Sequence, residues 1–145
     1  MENAERAGGF NDLLPYIAWV TALTGMAGSL FFSEVMGLPP CVLCWYQRIA
    51  MYPLVLIIGI GIASGDRSWK KYALPLAIIG FAVAIYQNLL YYGIIPEDLS
   101  PCTEGVSCIQ RQIELLGFMT IPLMGLAGFL SICICLISYR PEKKL

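Results

Sequence analysis

Four long stretches without a single charged side chain decide what this chain can become. Leu13 to Phe32 is an uncharged run of 20 residues, Ile49 to Gly65 one of 17, Tyr72 to Pro96 one of 25 and Leu115 to Tyr139 another of 25. A helix needs roughly 20 apolar residues to cross a bilayer, and within hydrocarbon a backbone satisfies its polar groups only as helices or a closed barrel. Uninterrupted apolar runs of this length predict an all-α fold, an integral membrane four-helix bundle forming one domain over residues 1–145. The second run is short by itself. Carried back towards Cys41 it reaches full length and takes one charge, Arg48, into its outer end. The expected spans cover about 13–32, 42–65, 72–94 and 116–139. Each contains one proline, at Pro15, Pro53, Pro75 and Pro122, and kinks are expected at Pro53 and Pro122.

The basic residues orient the bundle. Seven of the nine Lys and Arg residues fall in the N-terminal tail (Arg6), the loop after the second span (Arg67, Lys70, Lys71) and the C-terminal tail (Arg140, Lys143, Lys144), leaving only Arg48 and Arg111 on the other side. The positive-inside rule then places both termini and the middle loop in the cytoplasm. The Ser33 to Pro40 and Gly93 to Glu114 loops face outward. Met1 to Asp12 is net acidic and the run behind it is too long for a cleaved signal, so the first span is expected to be retained.

With a net charge of −1 there is no basic surplus for gripping nucleic acid. There is also no histidine, which excludes His-ligated haem, His-containing zinc sites and Ser-His-Asp or Cys-His catalysis together. Six cysteines remain. Cys41 and Cys44 stand at the outer entrance of the second span, Cys102 and Cys108 in the second outer loop, and Cys133 and Cys135 near the inner end of the fourth span. Residues two apart point about 200° from each other on a helix, so the last pair is poorly placed to bridge and reads as small buried hydrophobes.

A C-x-x-C at a helix start is where free backbone N–H groups and the positive end of the dipole favour a thiolate. Arg48 lies four residues beyond Cys44 and seven beyond Cys41, so all three share a helix face and the guanidinium further favours the thiolate. A charge inside a span marks a functional residue by default, the alternative being an Arg that snorkels to the head groups. A bridge between Cys41 and Cys44 closes a tiny loop of the labile, exchanging kind. For Cys102 and Cys108, spacing alone leaves both an inert bridge and a redox pair open. A four-thiolate zinc site is disfavoured on the oxidising side of the membrane, and no metal is expected. Glu34, just ahead of the second span, is either a solvated rim carboxylate, a partner of Arg48 or a group that takes up a proton. Phe31, Phe32, Trp45 and Tyr46 fit an aromatic belt or a ring-binding pocket.

The run Cys41-Val42-Leu43-Cys44-Trp45-Tyr46-Gln47-Arg48 at the second of four spans, with a cysteine pair in the second outer loop, resembles the DsbB family of membrane disulfide oxidoreductases over nearly the whole chain. Ser33-Glu34, Met51-Tyr52-Pro53-Leu54 and the short loop spacing are similar to the Gram-positive BdbC branch. The resemblance implies an enzyme that oxidises a thioredoxin-fold partner outside the membrane, DsbA- or BdbD-like, and passes two electrons to a membrane quinone, menaquinone rather than ubiquinone. By the same resemblance, Cys102 forms the mixed disulfide with the partner, Cys108 resolves it, electrons pass to Cys41 and Cys44, and Cys44 meets the quinone beside Arg48. Only five residues separate Cys102 from Cys108, against a much longer segment in the Gram-negative proteins. Ile109, Ile113 and Leu116 fall at helical spacing opposite Gln110, Arg111 and Glu114, and predict a short interfacial helix behind the pair.

Three rivals are separable. Vitamin K epoxide reductase-like enzymes carry the loop pair before the C-x-x-C, the reverse of the order here. CcdA-like carriers of reducing power need pairing cysteines within the spans. A non-enzymatic membrane protein braced by structural disulfides tolerates loss of Arg48.

Overall fold

The computed structural model describes residues 2–101, 114–115 and 117–141, and the side chains of 9–101 and 117–141. Four helices dominate it: α1 (Glu2–Leu30), α2 (Val42–Ser64), α3 (Lys70–Tyr91) and α4 (Ile121–Ser138). All four are long and apolar enough to cross a membrane. Each packs against its neighbours in chain order and α4 returns against α1, which closes an up-down-up-down bundle.

The two faces of the helices explain why this arrangement suits a bilayer. Most inward positions are small or branched: Ala18 and Ala22 on α1, Leu54 and Ile58 on α2, Ala73, Ala77 and Ala84 on α3, and Ile132 and Leu136 on α4 are buried, together with the larger Phe129 ring of α4. Small residues let helix backbones approach where no hydrophobic force drives them together. Outward positions are equally apolar, with Val20, Leu56, Ile60, Ile79 and Ile137 each more than half exposed. In water such a surface would associate; against lipid tails it is matched. Cys133 and Cys135 are unbonded and buried in the main core, as small hydrophobes are.

Polar groups tie the ends. Asn11 donates to the Arg140 carbonyl and accepts from the Arg140 amide, both at 2.8 Å, and Lys70 donates to the Tyr139 carbonyl. Trp69 stacks on Tyr139 with ring centroids 5.5 Å apart. These contacts gather the start of α1, the α2–α3 turn and the end of α4 at one end of the bundle. In that turn Gly65 is left-handed at φ 67°, and Asp66 accepts from the Ser68 amide at 2.9 Å, which holds its carboxyl below the usual carboxylate range.

The elements depart from the uncharged runs at three places. The first helix begins at Glu2, ahead of the apolar run, and ends in a π-helical turn, Phe31–Val35. The fourth begins at Ile121, because Glu114–Leu115 (β1) and Met119–Thr120 (β2) pair antiparallel around Gly117, whose φ of 79° suits glycine. The interfacial helix expected over Ile109 to Leu116 therefore does not reach Glu114 and Leu115, which are extended; Ile109 to Ile113 and Leu116 lie outside the described residues. The expected kink at Pro122 is also corrected. Pro122 occupies the first turn of α4, just after the Thr120 N-cap, where its missing N–H breaks no helical bond. Helix α2 continues through Pro53 to Ser64.

Close packing of α3 on α4 yields a stability prediction. A Cβ at Gly80 would lie 2.1 Å from Cε1 of the buried Phe129 ring, whereas one at Gly28 meets nothing within 4 Å. Gly80→Ala should cost about 1–3 kcal/mol through overpacking and lower the thermal unfolding midpoint in detergent. Gly28→Ala should leave the midpoint level or raise it. Equal midpoints for the two variants would contradict this packing.

Candidate functional site

The site is built at the other end of the bundle, where an extended segment containing Pro39 and Pro40 delivers the chain to α2. Cys41 is the N-cap residue, with φ −72° and ψ 172°, and its sulfur accepts from the Cys44 amide at 3.4 Å. One turn of helix brings Cys44 back over it. The two sulfurs lie 3.2 Å apart and are unbonded. Cys41 is buried with Leu43 and Leu90, while Cys44 is half-buried.

Arg48 follows one turn below Cys44. Its guanidinium turns into the bundle, donating from Nε to the Ser29 hydroxyl and from Nη2 to the Ser29 carbonyl, each at 2.8 Å, and lies 5.3 Å from the Trp45 ring centroid. Those contacts hold it between α1 and α2. Glu34 is exposed and accepts from the Ser33 hydroxyl at 3.4 Å, as a rim carboxylate does.

Between α1, α2 and α4 lies a cavity of about 410 Å³, with Cys44, Gln47, Arg48 and Tyr52 on one wall. Most of its remaining lining is apolar, from Val20, Leu38, Met51, Ile121, Met124 and Phe129. Its size falls in the range of sites for small organic molecules. Glycines hollow it out: Gly25 and Gly28 on α1 and Gly125 and Gly128 on α4 all border it. The Tyr52 hydroxyl is buried without a hydrogen-bond partner among the described residues. A sulfur, a cation and an unused hydroxyl thus border one apolar hollow.

Of the five site residues expected from sequence, the structure brings Cys41, Cys44 and Arg48 together at one helix end. Cys102 and Cys108 lie outside the described residues.

The sequence model for the family described as Disulfide bond formation protein DsbB matches residues 11–139. The chain belongs to the DsbB family. It is 47% identical over 128 residues to disulfide bond formation protein C of Bacillus subtilis (strain 168), covering 88% of this chain and 93% of that protein. It is 48% identical over 120 residues to probable disulfide formation protein C 2 of Bacillus anthracis, covering 83% and 85%. With a probable disulfide formation protein of Coxiella burnetii (strain CbuK_Q154) it shares 41% identity over 134 residues, 90% of each chain. No solved structure matches the chain. As a DsbB-family member with four spanning helices, the chain is a multi-pass membrane oxidoreductase of disulfide bond formation, similar to the BdbC branch.

In this DsbB-family site one residue escaped sequence reasoning. Gln87 of α3 is almost fully buried and donates to the Cys44 sulfur at 3.3 Å and to the Cys41 sulfur at 3.6 Å. Gln47 of α2 in turn donates to the Gln87 carbonyl oxygen. The signal was present: Gln87 and Asn88 are the only carboxamides in the 25-residue run from Tyr72 to Pro96. Asn88 has a structural role, its amide donating to the Ala84 carbonyl at 2.8 Å and the Pro122 carbonyl at 2.9 Å to clasp α3 to α4.

Proposed function

We propose that the chain reoxidises an extracytoplasmic thioredoxin-fold oxidase, DsbA- or BdbD-like, and passes the two electrons to a membrane quinone, so that disulfide bonds form in exported proteins. The carrying observation is that Cys44 and Arg48 share the wall of one largely apolar cavity. A quinone ring is flat and apolar with carbonyl oxygens that accept hydrogen bonds, and the lining fits such a group: Val20, Met51 and Phe129 for the ring, Arg48 and Tyr52 as donors. When bound, the quinone supplies a two-electron acceptor. Following the resemblance of the Ser33-Glu34 and Met51-Tyr52-Pro53-Leu54 runs to the Gram-positive branch, we take menaquinone rather than ubiquinone as that acceptor.

The chain's own residues supply the rest. A thiolate of the reduced partner attacks the Cys102–Cys108 bridge and forms a mixed disulfide on Cys102, the electron pair of the broken bond leaving on Cys108. The partner's second thiol then releases Cys102, so the partner departs oxidised and the loop pair is left reduced. Exchange with the loop pair opens the Cys41–Cys44 bridge and leaves the electron pair on Cys44, the member of the pair that borders the cavity. Arg48 stabilises negative charge there, in surroundings where water does little screening. Cys41, Cys44 and both outer loops face the extracytoplasmic side, and both termini the cytoplasm, as the Lys and Arg distribution supports.

Filling the hollow tests this reading. A Cβ at Gly128 has no neighbour within 4 Å, so a larger side chain there grows into the cavity without displacing a helix. Gly128→Leu should raise the quinone KM roughly tenfold or more, the loss of about 1.4 kcal/mol of binding, while exchange with a reduced partner proceeds as before. Unchanged quinone kinetics would move the site out of this cavity.

A further inference from the structure

Beside Cys44, and outside the cavity lining, the bundle places an uncharged amide where an apolar residue would be the cheaper choice. Gln87 is 2% exposed. Its Nε2 is 3.3 Å from the Cys44 sulfur and 3.6 Å from the Cys41 sulfur, and its oxygen is occupied by the Gln47 amide. Because the oxygen is taken, the N–H groups are the ones that face the sulfurs. Helix α4 makes room for this clamp at Gly125, where a Cβ would lie 2.6 Å from Gln47 Oε1. Two helices and a glycine on a third thus fix one carboxamide against both members of the C-x-x-C.

We propose that Gln87, held by Gln47, is a positioning residue that donates a hydrogen bond to the Cys44 thiolate released when the Cys41–Cys44 bridge opens. The inference rests on thiol exchange at this pair. In that step an incoming thiolate bonds to the Cys41 sulfur, the Cys41–Cys44 bond breaks, and its electron pair leaves on Cys44. The departing sulfur gains a full negative charge inside the bundle. Arg48 lies along the same helix and turns to Ser29, whereas Gln87 touches the sulfur itself. A donor already aimed there stabilises the thiolate without reorganisation. An amide keeps the same charge at every pH, so its donation to the thiolate does not itself titrate and adds to the charge stabilisation that Arg48 supplies. The groups around Cys44 that titrate or carry charge are few. Cys41, Arg48 and Tyr52 share its helix, and Tyr86 of α3 packs on the same cluster with its hydroxyl donating to the Leu99 carbonyl at 2.7 Å. Helices α1 and α4 add no charged residue to the cavity lining.

The test needs no quinone. Full-length protein carrying Cys41→Ser is reduced in detergent, and alkylation of Cys44 by iodoacetamide is followed by peptide mass spectrometry across pH. Adding Gln87→Leu should slow alkylation at neutral pH roughly tenfold while leaving the high-pH plateau, where the thiol is ionised regardless, unchanged. Gln47→Leu should give the same pattern at smaller size, since Gln87 then loses its holder. Gln87→Met keeps the length but removes the donor, and should slow neutral-pH alkylation as much as Leu. It carries the test where Gln87→Leu fails to elute as a folded species. Identical pH profiles with and without the amide would overturn the proposal, as would a uniform rate loss at all pH values, which is the mark of a merely structural role. A chain that fails to reduce quinone yet shows these profiles retains Gln87's role and loses the electron-acceptor reading instead.

Discussion

Cys44→Ser should abolish partner-driven quinone reduction, lowering the rate by roughly three orders of magnitude or more, as loss of a reacting group does elsewhere. The variant should fold. Serine fits the space of the thiol, its oxygen accepts from the Gln87 amide as the sulfur does, and Cys41 remains as the N-cap of α2. What serine lacks is a group that exchanges disulfides. With the Cys44 sulfur gone, a thiolate arriving from the loop pair meets no bridge to open, and electrons stop short of the cavity. Cys41→Ser should be equally inactive but no less stable, because serine is among the best N-caps. Activity within tenfold of wild type in Cys44→Ser would remove this cysteine from the electron path. The measurement is quinone absorbance, with size-exclusion elution as the check on folding.

Arg48→Leu should lower quinone reduction about a hundredfold while leaving the protein at least as well inserted in the membrane. The two effects have opposite signs for a physical reason. A charged side chain at a span's centre costs about 2.5–3.5 kcal/mol and less towards its end, so leucine relieves that cost. The partner left behind is modest, since the Ser29 hydroxyl can turn to the carbonyl four residues earlier as Thr21 and Thr24 do on the same helix. Removing one preorganised donor from a site where charge develops typically costs a hundredfold to a thousandfold. Arg48→Lys, which keeps the charge and loses the planar fork, should fall between. An Arg48 that only anchored α2 to head groups would give the reverse, full activity with impaired insertion. Comparing initial rates with the amount of folded protein in membranes separates the two.

The legible parts of this molecule follow from which constraints are local. The four helices were readable because a bilayer excludes charge over some twenty residues at a time, and the chain's charges are spaced to allow that. Cys41, Cys44 and Arg48 were readable because their relation is helical spacing within one element. Gln87 belongs to another helix 43 positions from Cys44, and nothing in spacing says that α3 would present it to that sulfur. The cavity was hidden for the same reason, since its glycines face one another only after α1, α2 and α4 have packed. Local signals at α4 were present and outweighed by the length of the uncharged run. Gly117 as a turn, Thr120 as an N-cap and Pro122 in the first turn together mark a start at Ile121 rather than at residue 116. At α1 the charges that end the apolar run do not end the helix, because Glu2 to Asp12 needs no hydrocarbon to be helical.

The most direct measurement of the central claim is quinone absorbance while a reduced thioredoxin-fold oxidase is added to the purified protein in detergent. Reduction of quinone mole for mole with the partner dithiol oxidised, dependent on Cys44, is the predicted result. Partner oxidation with no change in quinone, in protein that elutes folded and carries all six cysteines, would contradict it.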